Sequence, residues 1–293
     1  MKNPVLKKIV IFGVGLIGGS VALALKKAGY PAPIVGVGRS IKSLQTAVDL
    51  GAIDIASSNV ADAIKDADII LIAAPVAQTP AILNAIKPHL SANTVITDAG
   101  STKNDVLSAA KEILGAKFTQ FVGGHPIAGA EKSGVTAATA DLYRNKNVVL
   151  TPTAVTNPDA IHRVRELWQT CGATVSEMTA ETHDGIFAAV SHLPHLLAFA
   201  LVDEVASRAN AEQLFGFAAS GFRDFTRIAG SHPEMWRDIS LANKTALLNE
   251  ITAYQNELSD LKQMLAREDG DALYALFERA SVARNNWAAT KKL

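Results

Sequence analysis

The chain has 293 residues, 48% of them hydrophobic and 19% charged, so it is long enough to bury a sizeable core and to divide into two domains. Its 28 Lys and Arg balance 28 Asp and Glu, which leaves no overall field to recruit nucleic acid or an anionic membrane and makes a small molecule the expected partner. The single cysteine, Cys171, excludes an intrachain disulfide and fits a reducing, cytoplasmic setting, where it reads as a small buried hydrophobe. The sequence shows neither a signal-peptide pattern nor an apolar window of membrane-spanning length.

In chain order, Lys8 to Phe12 is a short apolar run ending in glycine, and Ile17 to Ala28 follows with helical periodicity closed by Gly29. Pro33 to Val37 reads as a strand, Ile41 to Leu50 as a helix closed by Gly51, and Ala61 to Lys65 as a short helical piece. Asp68 to Ala74 is a buried strand ended by Pro75; Pro80 to Leu90 is a helix, Thr94 to Thr97 a strand and Lys103 to Leu114 a helix. Phe118 to Val122 is a further strand, and Asn147 to Leu150, the helix Pro158 to Thr170 and the strand Thr174 to Met178 complete the first half. Apolar strands separated by helices predict a doubly wound parallel sheet covered on both faces. From Thr179 onward long helical patterns take over, so the domain boundary falls at 178/179. Ala188 to Val205 is strongly apolar, and Pro194 kinks that helix or marks its start. Leu247, Leu248, Ile251, Tyr254, Leu258, Leu261 and Leu265 recur at three- and four-residue steps. That stripe serves core packing or a dimer interface; a helical domain with so many apolar faces favours a homodimer.

Gly13-Val14-Gly15-Leu16-Ile17-Gly18 sits where the first strand turns into the first helix, the context in which a glycine fingerprint binds a dinucleotide. Gly13 permits the turn, Gly15 lets backbone approach a pyrophosphate, Gly18 lets helix pack on strand, and the helix N-terminus around Leu16 and Ile17 supplies amide donors. The second strand ends in Gly38-Arg39-Ser40 with no carboxylate to repel a 2′-phosphate; Asp49 and Asp54 lie too far along to replace one. Arg39 and Ser40 therefore favour NADP, with NAD tolerated if Arg39 is only a solvated charge. Ala74 and Pro75, at the carboxyl end of a later strand, are placed near the ring end of the cofactor.

Gly123-Gly124-His125-Pro126 follows a strand at the same edge, so His125 is the candidate acceptor for a hydroxyl proton during hydride removal, its flanking glycines letting reactants approach. Together with Ile127-Ala128-Gly129 and Glu131, Asp98-Ala99-Gly100-Ser101-Thr102-Lys103, Ser191-His192-Leu193-Pro194-His195, Gly221 to Ala229, and Met235-Trp236-Arg237-Asp238, these motifs resemble the prephenate/arogenate dehydrogenase family over nearly the whole chain. The resemblance implies a Rossmann-type N-terminal domain, an all-α dimerisation domain, and the oxidative decarboxylation that leads to tyrosine. It implies that His125 takes the ring-hydroxyl proton, Ser101 hydrogen-bonds near it, Arg227 binds a substrate carboxylate and His195 lines the pocket. Arg227 alternatively pairs with Asp224 or Asp238, Arg223 assists or is solvated, Trp236 is a pocket wall or core residue, and Glu131 and Asp224 serve ion pairing around the site. His183 starts the helical domain and reaches towards the cleft, whereas His89, His162 and His232 are surface or packing residues. His192 and His195 stand three apart, yet no third ligand at metal spacing accompanies them, so no metal is expected. The alternatives are a β-hydroxyacid dehydrogenase using Lys244, or an NADP-sensing regulator without turnover. Prephenate and arogenate are not distinguished by these residues. Without a separate regulatory domain, any feedback inhibition by tyrosine would be competition at the active site.

Overall fold

The computed structural model describes residues 8–130 and 132–290. Glu131, assigned an ion-pairing role above, lies outside the described residues. The chain forms two compact units, residues 1–244 and 245–293.

The first unit carries an eight-stranded sheet in the order β3-β2-β1-β4-β5-β6-β7-β8. Its strands are β1 (Ile9–Phe12), β2 (Ile34–Val37), β3 (Ile55–Ser57), β4 (Ile69–Ile72), β5 (Val95–Asp98), β6 (Phe121–Pro126), β7 (Asn147–Thr151) and β8 (Thr174–Glu177). The helices packed around it are α1 (Leu16–Lys27), α2 (Ile41–Asp49), α3 (Val60–Ile64), α4 (Thr79–Ile86), α5 (Asn104–Leu114) and α6 (Pro158–Thr170). Alternation along each strand sends side chains to opposite faces. Ile9, Ile11, Ile69, Leu71 and Val122 pack with α1 and α6 residues such as Leu25 and Trp168. Val10, Phe12, Ile70, Ile72 and Phe121 pack on the other face with Leu83, Ile86, Val106 and Leu114. Both faces are therefore dry, which is why these strands read as unbroken apolar runs. Each fully buried Ile or Leu contributes about 2 kcal/mol relative to exposure.

Three features depart from the sequence expectation. Strand β3 went unread because it is a three-residue edge strand with Ile55 51% exposed and no apolar run. Phe118 lies in a 3-10 segment, Gly115–Gln120, rather than in a strand, and β6 instead continues through His125. Its first residues, Phe121 and Val122, pair parallel with β5, while Gly123 to Pro126 pair antiparallel with β7. A reading based on apolar runs cannot see this change of direction, because pairing partners are not encoded in hydrophobicity. The sheet is thus mostly parallel, with one antiparallel junction at the candidate base.

Helices then replace strands: α7 (Ala180–Phe187), α8 (Leu193–Ala206), α9 (Ala211–Gly216), α10 (Ser220–Thr226) and α11 (Pro233–Ala242). Between α7 and α8 the backbone makes a π-helical turn, Ala188–His192, and Pro194 falls in the first turn of α8, where its missing N–H is not needed. The helical backbone consequently runs unbroken for 27 residues from Ala180 to Ala206, and its most apolar stretch, with a mean hydropathy of 1.8, makes it long and apolar enough to cross a membrane by length and composition. This corrects the expectation that no apolar window reaches membrane-spanning length. Within this stretch His183, Asp184 and His192 are buried and hydrogen-bonded, while Val190 and Ile186 are exposed.

The second unit holds α12 (Lys244–Ala266) and α13 (Gly270–Thr290), joined through Glu268 at a positive φ of 54°. Along the apolar stripe on α12 Leu247 is buried and Ile251 and Leu261 are partly so, whereas Leu248, Leu258 and Leu265 are about half exposed, as are Phe277 and Trp287 on α13.

Candidate active site

At the carboxyl edge of β1, Gly13 adopts φ +88°, and a Cβ there would stand 2.6 Å from the Ala73 carbonyl oxygen. A Cβ on Gly18 would collide with the Gly13 carbonyl and with Ile11, so that glycine seats α1 on β1. Around Gly15 the corresponding space is open. The first turn of α1, beginning at Leu16 and Ile17, has neither a capping side chain nor an acidic residue, so its amides face the open edge as anion donors. A pocket of about 470 Å³ opens there, lined among others by Gly13, Gly15, Arg39, Ser40, Ser43 and Thr136. The Ser40 hydroxyl accepts from the Ser43 amide at 3.2 Å and caps α2. Arg39 is exposed beside it. Ala74 and Pro75 follow β4 at the same edge. These residues fit a dinucleotide: backbone donors, a glycine without a neighbour, and a cation at the ribose end.

His125 stands on the antiparallel half of β6, half-buried, with its ring edge-on to Phe187 at 4.8 Å between centroids. Its Nδ1 lies 2.8 Å from Nε2 of His183, and Nδ1 of His183 lies 2.8 Å from Oδ1 of Asp184. The Asp184 carboxylate also accepts from the backbone amides of Lys103 at 2.8 Å and Asn104 at 2.9 Å, capping α5 from eighty residues away. Burial works to raise the Asp184 pKa, but the hydrogen bonds from His183 and from those two amides prevail and hold it below the ordinary carboxylate value. An ionised Asp184 requires His183 to donate from Nδ1, which leaves the His183 Nε2 as acceptor. His125 must then donate from Nδ1, so its Nε2 carries a lone pair. Burial, reinforced by His183, Lys103 and His192, pushes the His125 pKa well below 6.5. The imidazole is therefore neutral near pH 7, the state a general base needs.

Around this chain the polar groups are closely tied. Asn243, at the end of α11, donates to the Asp184 carbonyl at 2.8 Å and lies 3.1 Å from His192 Nδ1. Burial lowers the His192 pKa to about 4. His195 receives its own restraint from the Ser191 carbonyl, 2.9 Å from Nδ1, and stacks on Trp236 at 3.6 Å between ring centroids. Burial lowers the His195 pKa, and the Arg227 guanidinium adds to that effect, which places the cation near this imidazole. Ser101 is half-buried on the loop after β5, the strand beside β6. Arg223 and Asp224 are both 78% exposed and 3.9 Å apart, while Asp238 receives Arg237 at 2.7 Å. The glycines before His125 are tightly packed: a Cβ on Gly123 would collide with the Thr151 hydroxyl, and one on Gly124 would meet the Asp98 carbonyl at 2.7 Å. Close packing inside the protein is by itself enough to require them.

Sequence reasoning named His125 and His183 separately and did not foresee Asp184 as the residue that sets their tautomers, nor Asn243 as its tie to α11. The adjacency His183-Asp184 at a helix start was the available signal. A third residue, Lys103, appeared only as the end of a motif.

A family model for the nucleotide-binding domain of prephenate dehydrogenase matches residues 21–177, and one for the prephenate dehydrogenase dimerization domain matches residues 179–279. Prephenate dehydrogenase of Bacillus subtilis is 38% identical over 292 residues, spanning 99% of this chain and 78% of that protein. The crystal structure of prephenate dehydrogenase from Aquifex aeolicus, in complex with hydroxyphenyl propionate and NAD+, superposes with a TM-score of 0.92 at 38% identity, covering 97% of this chain and 99% of that one. Arogenate dehydrogenase of Synechocystis superposes with a TM-score of 0.81 at 29% identity, covering 96% and 99%. The fold and these matches agree: the chain belongs to the prephenate/arogenate dehydrogenase family, nicotinamide-dependent oxidoreductases of tyrosine biosynthesis with a Rossmann-type domain followed by a helical dimerisation domain.

Proposed function

We propose that the protein carries out the oxidative decarboxylation of arogenate, prephenate or both, giving tyrosine or 4-hydroxyphenylpyruvate, with NADP as the preferred cofactor. The observation that carries this reading is the chain Asp184, His183, His125, which leaves a neutral imidazole with Nε2 as acceptor on β6 of the same sheet as the glycine turn. The nicotinamide supplies the hydride acceptor when bound. His125 takes the proton of the ring C4 hydroxyl, and Ser101 hydrogen-bonds at the same oxygen. As the ring carboxylate leaves as carbon dioxide, aromatisation drives the reaction, so the side chains need only orient the substrate and take up its proton. Arg227 holds a substrate carboxylate through its planar fork, with His195 and Trp236 as the wall behind it and Arg223 at the rim. Gly13, Gly15, Leu16, Ile17 and Gly18 bind the pyrophosphate; Arg39 and Ser40 read the 2′-phosphate; Ala74 and Pro75 border the ring end. The division into residues 1–178 and 179–293, a homodimer and a cytoplasmic setting complete the proposal. The exposed part of the stripe on α12 supports the dimer.

Reduced-nicotinamide absorbance, with prephenate or arogenate paired in turn with NADP or NAD, tests it. Turnover with NADP in excess of NAD is expected. Equal turnover with both cofactors removes the NADP preference, and NAD is the cofactor that the Aquifex aeolicus structure names. No turnover in any pairing, by folded protein that binds NADP, would return the chain to a sensing role.

A further inference from the structure

Where β5 ends at Asp98, β6 runs on alone past Val122, and the edge of β6 that faced β5 loses its ladder. Gly124, directly before His125, would there leave both a backbone N–H and a C=O buried without partners. Side chains take over: the Gly124 amide donates to Asp98 Oδ1 at 2.9 Å, and Lys103 Nζ donates to the Gly124 carbonyl at 2.8 Å. Lys103 Nζ also donates to Asp98 Oδ2, which accepts the Gly100 amide at 2.9 Å. Both charged residues are shut off from solvent, Lys103 at 0% and Asp98 at 1% exposure. Burying two charges is costly unless they are paired and hydrogen-bonded; here they pair with each other, and their further bonds go to the backbone that carries the candidate base and to the loop that carries Ser101. The backbone amide of the same Lys103 donates to Asp184.

We propose that Lys103, paired with Asp98, is a positioning residue for the reaction: its side chain fixes the backbone that bears His125, and its amide fixes the carboxylate that sets the His183 and His125 tautomers. This rests on His125 being the base. Lys103 touches neither imidazole directly; it acts through Gly124 and through Asp184. The titratable groups acting on His125 are His183 from α7, His192 from the π-turn and Lys103 before α5, and those acting on His183 include Lys103, Asp184 and Asp98 of β5. Among these the buried ammonium works against protonation of both His125 and His183. Its removal therefore lets both imidazoles take up a proton at higher pH, and an Asp98 left alone pushes the same way.

The test uses the full chain carrying Lys103→Met, Lys103→Arg, or Asp98→Asn with Lys103→Met, assayed with the substrate and cofactor that the unaltered protein turns over. In the double variant no buried charge is left alone, so it keeps the test open if Lys103→Met fails to fold. The expected result for Lys103→Met is a fall in kcat of about 100-fold, the size associated with a misplacement near 1 Å, with cofactor KM within about threefold. The acid limb of kcat/KM moves to higher pH. The double variant restores thermal stability but neither kcat nor the limb, and Lys103→Arg, which keeps the charge, recovers the limb. A folded Lys103→Met or double variant with unaltered kcat and an unmoved limb overturns the inference, as does loss of stability alone. Turnover retained in His125→Asn would instead overturn the assignment of the base, which separates the two failures.

Discussion

The two ends of the sheet edge are built on opposite plans. At the end proposed for the cofactor, the candidate groups lie between Gly13 and Gly18 and in Arg39 and Ser40: backbone amides, glycines demanded by collisions, and one cation. At the catalytic end, His125 depends on His183, 58 residues away, which depends on Asp184, itself held by amides 80 and 81 residues away. A phosphate can be bound by local backbone geometry, because every helix start offers amide donors. A base with a defined tautomer cannot, because its second nitrogen needs a partner that the neighbouring residues do not supply. The contrast predicts that damage at the catalytic end spreads through side chains and spares cofactor binding, while damage at the cofactor end is local and selective.

Changes at the catalytic end should have the larger effects. His125→Asn is expected to lower kcat about 1,000-fold while NADP affinity, measured by fluorescence titration, stays unchanged; loss of both together would contradict the separation of the two ends. Next in size is a loss of stability in acid. The unfolded chain protonates His192 near pH 6.5, whereas burial delays this to about pH 4 in the fold, so the unfolded state holds more protons in between. Stability is therefore full above pH 6.5 and falls as pH drops towards 4, by about 3 kcal/mol from this residue, and burial of His125 and His183 acts in the same direction. Urea midpoints at pH 7 and pH 4 measure it; equal midpoints would mean that these imidazoles are not buried neutral. Asp184→Asn is expected to reduce kcat about 100-fold with cofactor KM preserved, since an amide can present its N–H to the His183 Nδ1 and reverse the tautomers along the chain. The smallest effect sharpens the other end: Arg39→Ala should weaken NADP about tenfold and NAD hardly at all, and equal weakening of both would remove Arg39 as the reader of the 2′-phosphate.

Much of the first unit was legible residue by residue. Strands β1, β2, β4 and β5 and helices α1, α2 and α5 lie within two residues of where apolar runs and closing glycines put them. Gly13 and Gly18 carry the packing roles that their spacing implied. Edge strand β3 was invisible because an exposed three-residue strand has no pattern to show. Pro194 was legible as a helix start, but not the π-turn before it that makes the helical backbone continuous. At the candidate site, His125 was named from its glycines, and those glycines pack against Thr151 and Asp98. Asp184, Asn243 and Lys103 were unreadable as a group, since nothing in the spacing of residues 98, 103, 184 and 243 states that they meet.

The sequence by itself determined the doubly wound sheet, the glycine turn between β1 and α1 and the change to helices after residue 178, because apolar periodicity and the backbone freedom of glycine act over a few residues. Only the tertiary structure decided that β6 changes partners at Gly123, that a buried Asp98–Lys103 pair replaces the missing ladder, and that Asp184 reaches across to cap α5 and set two imidazoles. These are hydrogen-bonding demands of buried groups, and which distant residue meets each of them is settled only when the chain has folded.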